Sequence, residues 1–153
     1  MCNELLFVCI FFEADRCPVD YNTAFQDSCY QLHNETETRT EAEEACKPLG
    51  HLVDITSSEE DDFILSLLSK SDTEDAWFGL VKTDVWSDGT PLVPMDWHDI
   101  FADEGHTCFR LDKNDGSSEY RWNDTSCDTE YRCVCERNGK YKQSVIRNAD
   151  ILI

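Results

Sequence analysis

Nine cysteines in a chain of 153 residues restrict what this protein can fold into more than any other feature. At that density thiols belong to an oxidising compartment, where they pair into a covalent framework. The competing use is zinc, with Cys133-x-Cys135 and the four histidines as ligands. No C-x-x-C pair is present and no two histidines lie three to five residues apart, so the spacing favours disulfides. A chain of this length is expected to form one domain with a real core. Four Trp, eight Phe and five Tyr supply the large side chains to fill it.

The charge narrows the partners. Thirty-two acidic residues against 13 basic ones give a net charge of −19. That excludes nucleic acid, whose phosphates are neutralised by basic patches. It fits an extracellular protein that draws cations such as calcium, or a solvated surface that keeps the protein dispersed. The apolar run at 5–12 is too short to span a bilayer. It resembles the core of a secretory signal, with Ala14 as a cleavage position, so residues 1–16 are expected to be an atypical signal peptide. Glu4 and Phe12 depart from the usual pattern. Residues 17–136 form the expected domain, and the basic segment 137–153 a poorly ordered tail.

Between these ends the local signals are clear. "CPVDYNTAFQDSCY" reads as a hairpin with a cysteine at each end. Thr38 with Glu41, or Thr40 with Glu43, makes a capping box. Ala42, Ala45, Cys46 and Leu49 follow at helical spacing, and Gly50 suits the stop. "HLVDI" is a short strand. Ser57 and Glu60 make a second box, ahead of Phe63, Ile64, Leu67 and Leu68 on one helical face. After Ala76 come short strands in long loops, so the class is α+β.

In order, "CPVDY…SCY", "AEEACKPLGHLVDI", "EEDDFILSLL", "AWFGL", "WSDGT", "CFRL", "WNDTSC" and "VCE" resemble a C-type lectin-like domain of the long form. The resemblance covers residues 17–136. It implies two helices, two small antiparallel sheets and a long loop pinned by disulfides. The implied bridges are Cys17–Cys29, Cys46–Cys135 and Cys108–Cys127. By chain entropy, closing a loop of about 90 residues with the second contributes about 4–5 kcal/mol, and the third, with a loop of about 20, about 3 kcal/mol. Once Cys2 and Cys9 leave with the signal, Cys133 is left over. In "YRCVC" the two-residue period puts Tyr131, Cys133 and Cys135 on one face. Cys133 is then a buried unpaired thiol, an interchain partner, or a partner of Cys2 or Cys9 should these be retained. Trp77, Trp86 and Trp97 fall at core positions of the family, and Trp122 is expected to pack in the core.

Sugar-binding members hold the sugar through a calcium ion, which takes six to eight oxygens. The family's ligands come from a Pro-centred triplet in the long loop, a Glu two residues before the third framework cysteine, and Trp-Asn-Asp. Trp122-Asn123-Asp124 matches. There is no proline between Trp97 and Cys108, and His106 replaces the glutamate, so three of five usual ligands are missing. The ligand or metal candidates are Asn123, Asp124, Asp99 and Glu104. Asp103, Asp112 and Asp115 could add to a different cation site, or all of these form a solvated acidic loop. Phe101 or Tyr120 could offer a ring to a ligand. Asn34-Glu35-Thr36 is a glycosylation sequon in a polar loop; Asn123-Asp124-Thr125 fits the pattern too, but is expected to stay unmodified in the fold.

No nucleophile, zinc-hydrolase, phosphate-loop or dinucleotide motif is present, so the chain is not expected to be an enzyme. The expected function is a secreted recognition module binding glycans, such as those of microbial surfaces, with weak or absent calcium dependence. The alternative is a protein-binding domain using neither sugar nor calcium. A third role would need Cys133 to link chains.

Overall fold

The computed structural model describes residues 17, 23–82, 85–87, 89–93, 99–102, 105–113 and 119–138. The expected signal, with Cys2 and Cys9, lies outside the described residues, as do Trp97, Asp103, Glu104, Asp115 and all of the tail beyond 138.

Helix α1 (Arg39–Cys46) takes Thr38, not Thr40, as its cap. The Glu41 N–H donates to the Thr38 side chain, and the Glu41 carboxylate accepts the Thr38 N–H at 3.0 Å. Glu43 instead accepts from Arg39 Nε at 2.8 Å. The helix stops before Gly50, with Lys47 as its C-cap; Gly50, at φ +150°, is glycine because a Cβ there would lie 2.1 Å from the Glu136 carbonyl oxygen.

Helix α2 (Ser58–Lys70) carries half of the expected second box. The Glu60 N–H donates to Ser57 Oγ at 3.1 Å. The Glu60 carboxylate does not return to the cap; it accepts from the Thr56 N–H at 2.8 Å and from the buried Tyr30 hydroxyl at 2.7 Å. A buried phenol needs an acceptor, and Glu60 supplies it. Ile64 and Leu68 of α2 are buried, with Phe63 and Leu67 packed around them.

The hairpin at the amino end is β1 (Thr23–Phe25) and β2 (Ser28–Leu32). After α1 comes β3 (His51–Leu52), and after α2 comes β4 (Asp75–Trp77). A small ribbon of β5 (Leu80–Lys82) and β6 (Val85–Trp86) stands apart. Then follow β7 (Ile100–Phe101), β8 (Cys108–Lys113), β9 (Tyr120–Thr125) and β10 (Arg132–Asn138).

The strands order as β1-β2-β10-β4-β8-β9-β7, with β3 also on β10. The two small sheets expected from the sequence therefore share one strand. The later part of β10 pairs antiparallel with β2, and its start, Arg132 and Cys133, pairs with Ala76 and Trp77 of β4. Two pairings, β10 with β4 and β7 with β9, are parallel rather than antiparallel. Their partners are joined by long connections rather than tight turns, which is what parallel pairing requires.

The shared sheet has two unlike faces. Ala76, Phe78, Phe109, Leu111, Trp122 and Val134 join α2 in the main core. On the other face Trp77, Cys108, Cys133 and Cys135 pack with Ala42 and Cys46 of α1, which lies against β3 and β10. Beyond β4 this second face turns polar, carrying Arg110, Asp112, Arg121 and Asn123. All three bridges implied by the resemblance are present, Cys17–Cys29, Cys46–Cys135 and Cys108–Cys127. Cys133 is buried and forms no disulfide among the described residues.

Candidate functional site

Strand alternation decides what Trp122, Asn123 and Asp124 can do together. Adjacent residues of β9 point to opposite faces. Trp122 and Asp124 are buried on the main-core side, opposite Leu111 and Phe109. Asn123 lies on the polar side, opposite Arg110. One row of partners thus runs across four strands, from Trp77 through Arg110 and Asn123 to Phe101.

Around Asn123 a cation is already built in. Arg110 Nη1 lies 3.3 Å from Asp75 Oδ1, and Arg110 Nη2 donates to Asp112 Oδ2 at 3.2 Å. Arg110 also donates to the Tyr131 hydroxyl, and its guanidinium lies 5.0 Å from the centre of that ring. Asn123 Nδ2 donates to the same Asp112 oxygen at 3.2 Å. Asn123 Oδ1 is buried without a hydrogen bond among the described residues. The Asp124 carboxylate accepts the His106 backbone N–H at 2.8 Å. That donor is the main chain of residue 106, where the family pattern has a glutamate.

The described residues do not fit the calcium site of the sugar-binding pattern. Calcium needs a shell of six to eight oxygens. Here Asn123 and Asp124 face opposite ways, Asp124 is engaged by a backbone donor, and a guanidinium shares Asp112 with Asn123. A fixed positive charge at that range opposes a second cation. Asp99 is exposed and is not brought into this cluster. Glu104 lies outside the described residues.

Arg110 and Asp75 were not legible as site residues, although the alternation in "CFRLD" places Arg110 and Asp112 on one face. Burial pushes Asp75 up from 3.8 to about 6, against the pull of Arg110 and with further push from Asp112 and Glu74. A carboxyl raised in this way adds stability that is complete below its unfolded value and is lost as pH rises through about 6. The urea midpoint should therefore fall between pH 4 and pH 7 more steeply in the parent domain than in Asp75→Asn. Equal slopes would remove Asp75 from this account.

The zinc reading ends at the second disulfide. His33, Cys133 and Cys135 bring their ligand atoms within 4.8 Å of one another. Cys135 is bonded to Cys46, so it offers no thiolate. Burial and the neighbouring Glu37 push the Cys133 thiol up to about 12, which keeps it protonated. Asn34 is exposed in the segment after β2, with its Oδ1 accepting from Arg132 at 3.0 Å. Tyr120 is buried, its hydroxyl donating to the Thr73 carbonyl, so of the two rings singled out only Phe101 reaches solvent.

Residues 35–137 match the Lectin C-type domain family. The chain belongs to that family. Among solved structures, the lectin-type domain is similar to the Ca2+-independent C-type lectin SPL-2 from Saxidomus purpuratus, with a TM-score of 0.70 and 27% identity over 82% of this chain and 96% of that one. The C-type lectin domain of murine dendritic cell inhibitory receptor 2, solved in complex with N-glycan, gives a TM-score of 0.66 and 28% identity, covering 80% of this chain and 98% of that one. The secretory phospholipase A2 receptor of Oryctolagus cuniculus is 27% identical over 75% of this chain. The chain spans 8% of that receptor's length. Domains of this family are binding modules for glycans or proteins, and their calcium dependence varies. Among the described residues no helix is long and apolar enough to cross a membrane.

Proposed function

We propose that this lectin-type domain recognises glycans outside the cell without calcium at Asn123 and Asp124. The single observation that supports the reading is the Arg110–Asp75–Asp112 network, which sets a permanent guanidinium opposite Asn123 and shares Asp112 with its amide. A neighbour described as a Ca2+-independent C-type lectin supports the same combination of fold and ligand class. A domain of this family in complex with N-glycan supports carbohydrate as the ligand. The three disulfides require an oxidising compartment, in keeping with secretion. No catalytic role is proposed.

Glycan-array binding by the full chain should be the same in millimolar calcium and in excess chelator, and Asp124→Asn should leave the calcium response unchanged. Loss of signal on chelation would overturn calcium independence. An empty array under both conditions would overturn the glycan reading. The second reading, a protein ligand, is favoured by Val93, which is 75% exposed in the segment between β6 and β7. Such an apolar side chain suits a protein surface better than a sugar.

A further inference from the structure

Among the described residues on the polar side of β7, β8 and β9, Arg121 has no acidic partner. Arg121 is exposed, on the same side of β9 as Asn123. Its partner across the ladder is Asp112, whose Oδ2 is turned instead to Arg110 and Asn123. Among the described residues Arg121 makes no ion pair; its contact is with Phe101, whose ring centre lies 5.0 Å from the guanidinium carbon. In a chain with 32 acidic residues and 13 basic ones, an exposed arginine with no carboxylate partner among the described residues is a conspicuous local positive charge.

Phe101 is itself one of the two exposed large apolar side chains among the described residues, at 38%. It pairs with Asn123 through the parallel register of β7 and β9. Aromatic ring and guanidinium therefore adjoin on neighbouring strands, next to Asn123. The ring holds the guanidinium in place, so less side-chain freedom is lost when its planar fork closes on an anion.

We infer that Phe101 and Arg121 form a subsite for a carboxylated pyranose, with the sugar carboxylate on the Arg121 fork and an apolar face of the ring against Phe101. This rests on the glycan reading above and names the substrate class within it. A planar guanidinium prefers a carboxylate, which it binds through two parallel hydrogen bonds. The apolar C–H face of a pyranose packs on an aromatic ring as other apolar surfaces do. The surrounding negative charge favours a single acidic sugar over a long polyanion, because each further anionic unit meets like charge.

The probes are 3′-sialyllactose, a glucuronic-acid-terminated disaccharide and neutral lactose, titrated into the full chain in excess chelator. At least one carboxylated probe should bind about tenfold more tightly than lactose, the gain expected from a charge-assisted bidentate contact. Which one binds separates a sialic from a uronic source. Arg121→Gln should abolish that preference, Arg121→Lys should retain part of it, and Phe101→Ala should weaken binding while Phe101→Tyr preserves it. Arg121 is exposed, and an unchanged thermal midpoint will show that its variants are folded. Equal affinity for the acidic probes and lactose, or acidic-sugar binding unchanged in Arg121→Gln, overturns the subsite but leaves the glycan reading standing. Absence of binding to all three probes, together with an empty array, overturns both.

Discussion

Replacing Cys46 and Cys135 together by alanine should destabilise the domain by about 4–5 kcal/mol, the chain-entropy value for a loop closed by about 90 residues. The separation of 89 makes this the longest of the three covalent loops. The bridge joins α1 to β10, the strand that holds the two halves of the sheet together. Small domains are stable by only about 5–15 kcal/mol in total, so the loss should leave much of the population unfolded at warm temperatures. Both cysteines are removed at once because Cys133 lies within 4.8 Å of Cys135 and could pair with a lone Cys46. Removing Cys108 and Cys127, at a separation of 19, should cost about 3 kcal/mol by the same reasoning. Calorimetric midpoints and urea titrations of the two double variants would read both values. A Cys46→Ala, Cys135→Ala chain as stable as the parent would show that β10 holds the sheet without its covalent tie.

Trp122→Ala should destabilise the domain by about 3–5 kcal/mol, the range for emptying an aromatic site in a core. Trp122 is fully buried, 4.9 Å from the Phe78 ring and 6.0 Å from that of Trp86. Its indole N–H donates to Asp61 Oδ1 at 3.2 Å, tying β9 to α2. The substitution removes the packing and this bond together. Trp122→Phe keeps most of the apolar volume and should lose less, which separates the two contributions in urea midpoints. A fall below about 1 kcal/mol in Trp122→Ala would mean the core collapses around the site far more easily than cores of native density do. The expected result also assigns the first member of the Trp-Asn-Asp triplet to the core, independent of any ligand.

Much of the fold could be read locally. Thr38 and Ser57 were legible as caps because capping uses residues three apart in the chain. Ile64 and Leu68 were legible as core because they recur at helical spacing. The diversion of the Glu60 carboxylate to Tyr30 was not, because it depends on a partner brought in from elsewhere in the chain. The parallel pairings escaped for the same reason: nothing in β7 or β10 alone specifies the direction of its neighbour.

The candidate site divides in the same way. The missing proline, the histidine at position 106 and the surviving Asn123 and Asp124 are facts of the one-dimensional order. So are the cysteine count and the α+β class, since each rests on residue identity and short-range spacing. Tertiary structure alone decided that Asn123 faces Arg110, that Asp112 serves Arg110 rather than Arg121, and that Phe101 lies beneath the arginine left over. Those outcomes depend on register between strands far apart in the chain, where a shift of one residue would exchange the two faces of the sheet.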